Sequence, residues 1–328
     1  MAPGHLSQID HWHTSDPPDI YFTRDYFDVS ASLEPDFAES VLLQWQDDNG
    51  VVYLPLLLRT ISDEPYFDAT NAYGHGGPWL DGEPNLSAFR GYLDDWARQR
   101  GVVSSFIQFH PLLENGPAFA SVLGAQKVGQ TIAWNLNTDD LVGQMAANHR
   151  RNWRKADRAG VEARLLPNPS NSENFRFLYE ISMQRLGVKS FYWFPEAYWS
   201  GLQNKLRDRS LQVDAVYQGR TVASVWCLLG RDYMHFHLNG ATDEGRDLRG
   251  TFIAHVAAAE WGRDQGYKLA HLGGGSDESL LNFKQRFDPS SARRDFYTAK
   301  IIHDQTVFSR LSQGLSETRF FPPWRAPV

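Results

Sequence analysis

The chain is poor in the features that most quickly place a protein. Cys227 is the only cysteine among 328 residues, which excludes an internal disulfide and a zinc site built on several thiolates. It lies in the apolar run Val225-Trp226-Cys227-Leu228-Leu229 and is expected in the core. No apolar run, even around Val51 to Leu58, approaches the roughly 20 residues that span a bilayer. The start, MAPGHLSQIDHWHTSDPPDI, has neither the basic end nor the apolar run of a secretory signal, so no membrane insertion and a cytoplasmic location are expected. There is no HExxH and no other evenly spaced metal set, which disfavours a metal mechanism and leaves no metal ligands to name. Positive charge is not in excess either. The net charge is -7, which speaks against a protein that coats nucleic acid non-specifically, while a local basic face can still serve a small contact.

What is present points to a folded protein of some size. The hydrophobic fraction is 42% and the aromatic fraction 13%, and the length suffices for two domains, each with a core of its own. After a polar, proline-dotted lead-in, Val41 to Trp45 and Val51 to Ile61 flank Asp47-Asp48-Asn49-Gly50 and read as a β-hairpin, because Asn-Gly supplies the positive φ angles of a tight turn. A strand at Tyr66 to Thr70 leads into Tyr73-Gly74-His75-Gly76-Gly77-Pro78. An amphipathic helix over residues 87–100 is ended by Gly101, and buried strands follow at 102–109 and 127–136. Asn137-Thr138-Asp139-Asp140 then opens what reads as one helix running to Gly160, with Thr138 as N-cap. Arg150, Arg154 and Arg158 recur on it at i, i+4 and i+8, with Arg151 and Lys155 beside them, a stripe suited to phosphate or to a solvated face. Helices are expected at 173–186 and 195–206, strands at 211–217, 221–229 and 233–239, a helix at 250–263, a strand at 294–302 and a helix at 305–313.

The stretch that orders the rest is Tyr267 to Phe287, YKLAHLGGGSDESLLNFKQRF. Residues 268–272 form a short apolar strand, Gly273-Gly274-Gly275 turn sharply, and Ser276 or Asp277 caps a helix starting near Glu278. Glycines let backbone N–H groups converge on an anionic oxygen at a helix N-terminus, and Lys284 lies about two turns further on. A tight turn followed by a surface lysine reads equally well from spacing alone.

These residues carry a resemblance. His271-Leu272-Gly273-Gly274-Gly275, Ser279-Leu280, Phe283-Lys284 and Phe287 resemble the signature of the Fem family, ligases that transfer an amino acid from aminoacyl-tRNA to an amine of a cell-wall precursor or related peptide. Tyr73 to Pro78 resembles that family's first-domain loop, with His75 where tyrosine is common, and the sequence NHRRNWRKADRAG its basic second-domain helix. The resemblance spans about residues 35 to 302. It implies an α/β protein of two tandem GNAT-like domains, each a mixed β-sheet flanked by helices, divided as 1–136 and 137–328. It implies Lys284 as the catalytic lysine that stabilises the tetrahedral intermediate, and aminoacyl-tRNA as co-substrate rather than a bound cofactor. The partner would be a small peptide or nucleotide-linked acceptor. The chain lacks the long charged helical insertion that some cell-wall members carry, which suits a freely diffusing acceptor.

For the remaining roles the residues offer candidates. Tyr233, His235 and His237 alternate along one strand, so they share a face; His237 is the candidate proton relay, or a hydrogen-bonded core histidine. His271 reads as a structural anchor. Tyr73, His75, Arg150, Arg154, Tyr233, the three glycines and Phe283 are the candidate substrate contacts. Phe191-Tyr192-Trp193-Phe194 and Tyr198-Trp199 line an acceptor pocket or fill the core. An acyl-CoA-dependent N-acyltransferase is the second reading. Its pyrophosphate loop, (Arg/Gln)-x-x-Gly-x-(Gly/Ala), is matched only by Arg246-Asp247-Leu248-Arg249-Gly250-Thr251, where arginine replaces the first glycine and obstructs the amides. A catalytically silent binding module would have no chemical reason to keep Phe283-Lys284.

Overall fold

The computed structural model describes residues 4–8, 12, 16–188, 192–275, 277–315 and 320–326. The chain forms two compact units, residues 1–129 together with 295–328, and residues 130–294. Each is a mixed sheet with helices against it, as expected of two tandem GNAT-like domains.

In chain order the elements of the first half are β1 (His5–Gln8), α1 (Arg24–Ala31), β2 (Phe37–Asp47), β3 (Gly50–Thr60), β4 (Phe67–Thr70), β5 (Trp79–Gly82), α2 (Leu86–Arg100), β6 (Val102–Gln108), α3 (Ala120–Leu123) and β7 (Gln126–Asn135). The expected hairpin is β2 and β3, closed where Asp47 Oδ1 accepts from the amides of Asn49 and Gly50 at 2.8 and 3.1 Å. Gly101, at φ 71, ends α2 by taking the left-handed conformation that other residues adopt only with strain.

The second half continues with α4 (Leu141–Gln144), α5 (Ala147–Arg158), β8 (Glu162–Pro167), α6 (Glu173–Leu186), α7 (Glu196–Asn204), β9 (Ser210–Tyr217), β10 (Arg220–Leu229), β11 (Tyr233–Ala241), α8 (Asp243–Asp247), α9 (Gly250–Asp264), β12 (Leu269–Gly274), α10 (Glu278–Gln285), β13 (Arg294–Ile302) and α11 (Gln305–Leu311). The single helix expected from Thr138 to Gly160 is two. Asp140, not Thr138, caps α4 through the Gly143 amide, and the extended backbone of Met145 and Ala146 restarts the chain as α5.

The first unit's sheet runs β1-β2-β3-β4-β6-β13, with β5 also on β3, and only β4 and β6 are parallel. The second unit's sheet runs β7-β12-β11-β10-β9-β8, and only β11 and β12 are parallel. The end strands explain why the units differ from the division expected at residue 136. β7 follows the first unit in sequence but pairs with β12, and β13 follows the second unit but pairs antiparallel with β6. Two side-chain networks hold the returning segment to the first unit. Just after β13, His303 is buried, with Nε2 2.9 Å from Ser105 Oγ of β6 and Nδ1 2.8 Å from Asp94 Oδ1 of α2. This has the order of a nucleophile relay, but Ser105 is only 2% exposed, so the chain of bonds serves as an anchor. Buried Asp68 accepts from Arg59, Trp324 and Arg325 at 2.7 to 2.8 Å, which makes the proline-rich tail part of this unit.

In the second unit α9 is buried along much of its length and packs with α5 over one face of the sheet, around Trp134, Val213, Val225, Cys227 and Ile253. Cys227 is wholly buried, as expected, and burial pushes its thiol pKa up. On the other face α6 lies against β11 so closely that a Cβ on Gly240 would come within 2.4 Å of the Leu178 backbone. Gly240→Ala is therefore expected to destabilise by about 2–4 kcal/mol. Gly91→Ala, in the open middle of α2 with nothing within 4 Å, should instead stabilise by roughly 0.5–1 kcal/mol. Thermal unfolding of the two variants should shift in opposite directions.

Candidate functional site

The parallel pair β11 and β12 is in register only at Tyr233–Leu269, Met234–Ala270 and His235–His271, although β11 continues to Ala241 and β12 to Gly274. Both strands are irregular at the same level. β11 bulges against β10, where Trp226 pairs with Leu238 but Cys227 with Phe236, and β12 bulges against β7 between His271 and Gly273. A bulge bends its strand and sharpens the local twist, so the carboxyl ends diverge. Crevices at the carboxyl ends of parallel strands are where open α/β sheets bind ligands.

Lys284 stands at this opening. Gly273 takes φ 76, Asp277 caps α10 by accepting from the Leu280 amide at 2.9 Å, and the helix carries Lys284 in its last turn. Ser276, the other cap considered, lies outside the described residues. The lysine side chain doubles back so that Nζ donates to Gly274 O at 2.5 Å, and a Cβ on Gly273 would lie 3.4 Å from it. Burial pulls the ammonium down from 10.5 to about 8. The turn therefore holds a half-buried cation that is still charged at neutral pH.

Of the residues the sequence suggested around Lys284, Gly273 and Gly274 lie against its Nζ, while His237 has a different setting. His237 falls at the β11 bulge, with Nε2 2.5 Å from Tyr198 Oη of α7, and burial, helped by nearby His235, pulls it down to about 3. Phe236 faces the other way, and its ring lies on His255 of α9, which in turn lies on Phe287, two residues past the end of α10. Lys284 is on that helix, so His237 and Lys284 approach the opening from opposite faces of the sheet. Of the three residues expected on one face, Tyr233 and His237 are half-buried while His235 is closed off, its Nδ1 3.3 Å from that of buried His271. Phe283 is exposed at one edge and packs on His149, whose Nε2 bonds the Phe283 carbonyl at 3.0 Å. That bond fixes the peptide just before Lys284. Phe194, Tyr198 and Trp199 are core, whereas Tyr192 and Trp193 are exposed; Phe191 lies outside the described residues.

The basic stripe is divided. Arg150 Nη1 donates to the carbonyls of Gly143 and Met145, and Lys155 Nζ to Asp247 O at 2.8 Å, so both close the C-terminal ends of short helices. Arg150 Nη1 is thus committed to backbone. Arg151, Arg154 and Arg158 are exposed with no partner among the described residues. In the segment compared with a pyrophosphate loop, the amides of Arg246, Leu248 and Arg249 donate to Thr242, Glu244 and Arg246. Arg249 itself is left-handed at φ 64.

In the first unit, the loop after β4 presents Tyr73 and His75. Asn115 Nδ2 donates to Gly76 O and Pro78 O at 3.0 and 2.9 Å, and Tyr26 Oη to Tyr73 O at 2.7 Å. His75 is half-buried, edge-on to Tyr21, His110 and Phe296. Buried His110 accepts the Leu113 amide at Nδ1, so its hydrogen is on Nε2, 3.7 Å from buried Asp19 Oδ1. Sequence reasoning missed Asp19, Tyr21 and His110. They come from separate segments without a motif, and only the proline- and glycine-rich turns around them hinted at a constructed loop.

Burying an ammonium costs stability. The folded chain releases the Lys284 proton at about 8 and the unfolded chain at 10.5, so stability on this account rises with pH between those values. Allowing for the lost bond to Gly274, Lys284→Met should stabilise at pH 7 on the order of 1–2 kcal/mol, a gain that fades by pH 10. Denaturant unfolding at both pH values measures this.

Residues 143–285 match the family described as Acetyltransferase (GNAT) domain. No curated protein sequence matches the chain. Among solved structures, it is similar to FemX, with 12% identity and a TM-score of 0.68 over 94% of this chain and 100% of that one. It is also similar to L-PGS from Bacillus licheniformis, with 16% identity and a TM-score of 0.54 over 87% and 90% of the two chains. A tandem GNAT protein from the clavulanic acid biosynthesis pathway gives 13% identity and a TM-score of 0.51 over 90% and 98%. At such identities the likeness is one of fold: the chain has a Fem-like, GNAT-related fold, and the stretch that matches the GNAT family model lies in its second unit.

Proposed function

We propose that this protein is an acyltransferase that forms an amide bond by moving an aminoacyl group from aminoacyl-tRNA to an amine of a peptide, cell-wall precursor or peptide-antibiotic intermediate. The observation that carries the reading is the Lys284 ammonium, folded back onto the glycine turn at the separated ends of β11 and β12. Aminolysis of an activated ester is downhill, so the protein has to position the amine, accept a proton and hold the charge that develops on the carbonyl oxygen. A buried ammonium meets the last need, because its attraction for an oxyanion is stronger there than in water. Arg151, Arg154 and Arg158 would meet donor or acceptor phosphates.

Acyl-CoA transfer is the second reading, favoured by the GNAT family match. The segment from Arg246 to Thr251 counsels against it, since three of its amides are already bonded within the chain. Incubating candidate acceptors with total charged tRNA, or with acetyl-CoA, and weighing the products separates the two. With charged tRNA, ribonuclease added before the donor should abolish product; full activity with acyl-CoA and no RNA would overturn the tRNA reading. In single turnovers Lys284→Met should slow the chemical step by roughly 10² or more. The wild-type rate should fall as pH rises through about 8, where the ammonium is lost. A chemical step within about threefold of wild type in Lys284→Met would remove this residue from the mechanism.

A further inference from the structure

We infer that His255 is a catalytic residue of this same site, its Nε2 taking the proton from the attacking nitrogen while Lys284 holds the carbonyl oxygen. The inference rests on the acyl-transfer reading above, but not on which donor is used. His255 stands on α9 with Nδ1 2.8 Å from Thr251 O. A carbonyl only accepts, so Nδ1 carries the hydrogen and the neutral ring presents a lone pair at Nε2. The ring cannot turn. It lies between Phe236, at 4.7 Å and 13°, and Phe287, at 5.2 Å and 15°, as the middle of three near-parallel rings. Phe287, just past the end of α10, follows Lys284 by three residues, and its amide donates to the Lys284 carbonyl at 3.1 Å.

The side chain is 8% exposed, and among the described residues Nε2 has no partner. The charged or titratable groups that act on it are Lys284 from α10 and His149 from α5; β11 contributes the apolar Phe236 ring. Burial, with these two neighbours, pulls His255 down to about 4, so it stays neutral at pH 7 and available as an acceptor. His237 is also neutral, but its Nε2 is occupied by Tyr198.

The step balances as follows. The amine lone pair forms the C–N bond and the carbonyl π pair moves to oxygen, against Lys284. The nitrogen, now positive, gives a proton to His255 Nε2. The oxygen lone pair then re-forms the carbonyl as the bond to the donor's leaving oxygen or sulfur breaks, and Nε2 returns the proton to that atom. His255 ends unchanged, as a shuttle of low basicity must.

Two measurements test this on the intact protein. Nitrogen chemical shifts of histidine-labelled protein should show His255 as the Nδ1–H tautomer, with Nε2 unprotonated down to about pH 5. A hydrogen on Nε2 at pH 7 would overturn the inference whatever the activity. Single-turnover transfer from total aminoacyl-tRNA, to the acceptor that the product assay identifies, should slow by about 10²–10⁴ in His255→Phe and His255→Gln with KM nearly unchanged. An acyl donor with a better leaving group, which needs no returned proton, should narrow the gap. If Lys284→Met is crippled and both folded His255 variants react within threefold of wild type, the inference fails and the proposed function stands. If Lys284→Met is unimpaired, both fall.

Discussion

The contact of Lys284 Nζ with Gly274 O, at 2.5 Å, can exist only because several other features are in place. Gly273 must adopt a positive φ that brings the next carbonyl round towards α10, and a side chain there would meet the ammonium. Asp277 must start the helix where it does, so that its last turn carries the lysine back over the turn. His149 must hold the Phe283 carbonyl from α5, which ties the basic helix to the position of the lysine. A half-buried charge that opposes folding is kept in place by this local scaffold.

The sheet supplies the other half of the arrangement. A regular parallel pair would stay hydrogen-bonded to its end and leave no opening. Here bulges in both β11 and β12 at one level separate the strands just past His235 and His271. The same irregularity assigns consecutive residues to different environments. His237 goes to Tyr198 and the α6–α7 side, and Phe236 to His255 and the α9–α10 side. Two neutral histidines thus flank the opening from opposite faces, and among the described residues the Nε2 of His255, on the α9–α10 side, has no partner, while that of His237 meets Tyr198.

The two units repeat one plan: antiparallel strands, a single parallel pair with a helix between its members, and a last strand supplied from elsewhere in the chain. β7 completes the sheet of residues 130–294 and β13 that of the first unit. The backbone groups along one side of β6 and of β12 are thereby paired. This exchange also makes the C-terminal tail structural, through His303, Trp324 and Arg325.

The sequence by itself determined what local chemistry controls. The Asn-Gly hairpin, the helix ended by Gly101, the strand, glycine turn and capped helix from Leu269 to Gln285, and the burial of Cys227 follow from turn propensity, capping and apolar runs that act over a few residues. Motif resemblance supplied the fold class in the same way. Tertiary structure alone decided which sheet β7 and β13 join, because any strand of alternating pattern pairs equally well until its neighbours are known. It decided that Arg150 serves helix-end carbonyls while Arg154 faces solvent, since both sit on one stripe and differ only in what folds against them. It also brought His255, an unremarked residue in an apolar helix, beside Lys284. A carbonyl bond within α9 sets the tautomer of that histidine, whereas the stacked rings of Phe236 and Phe287 reach it only when β11 and the segment after α10 pack on α9.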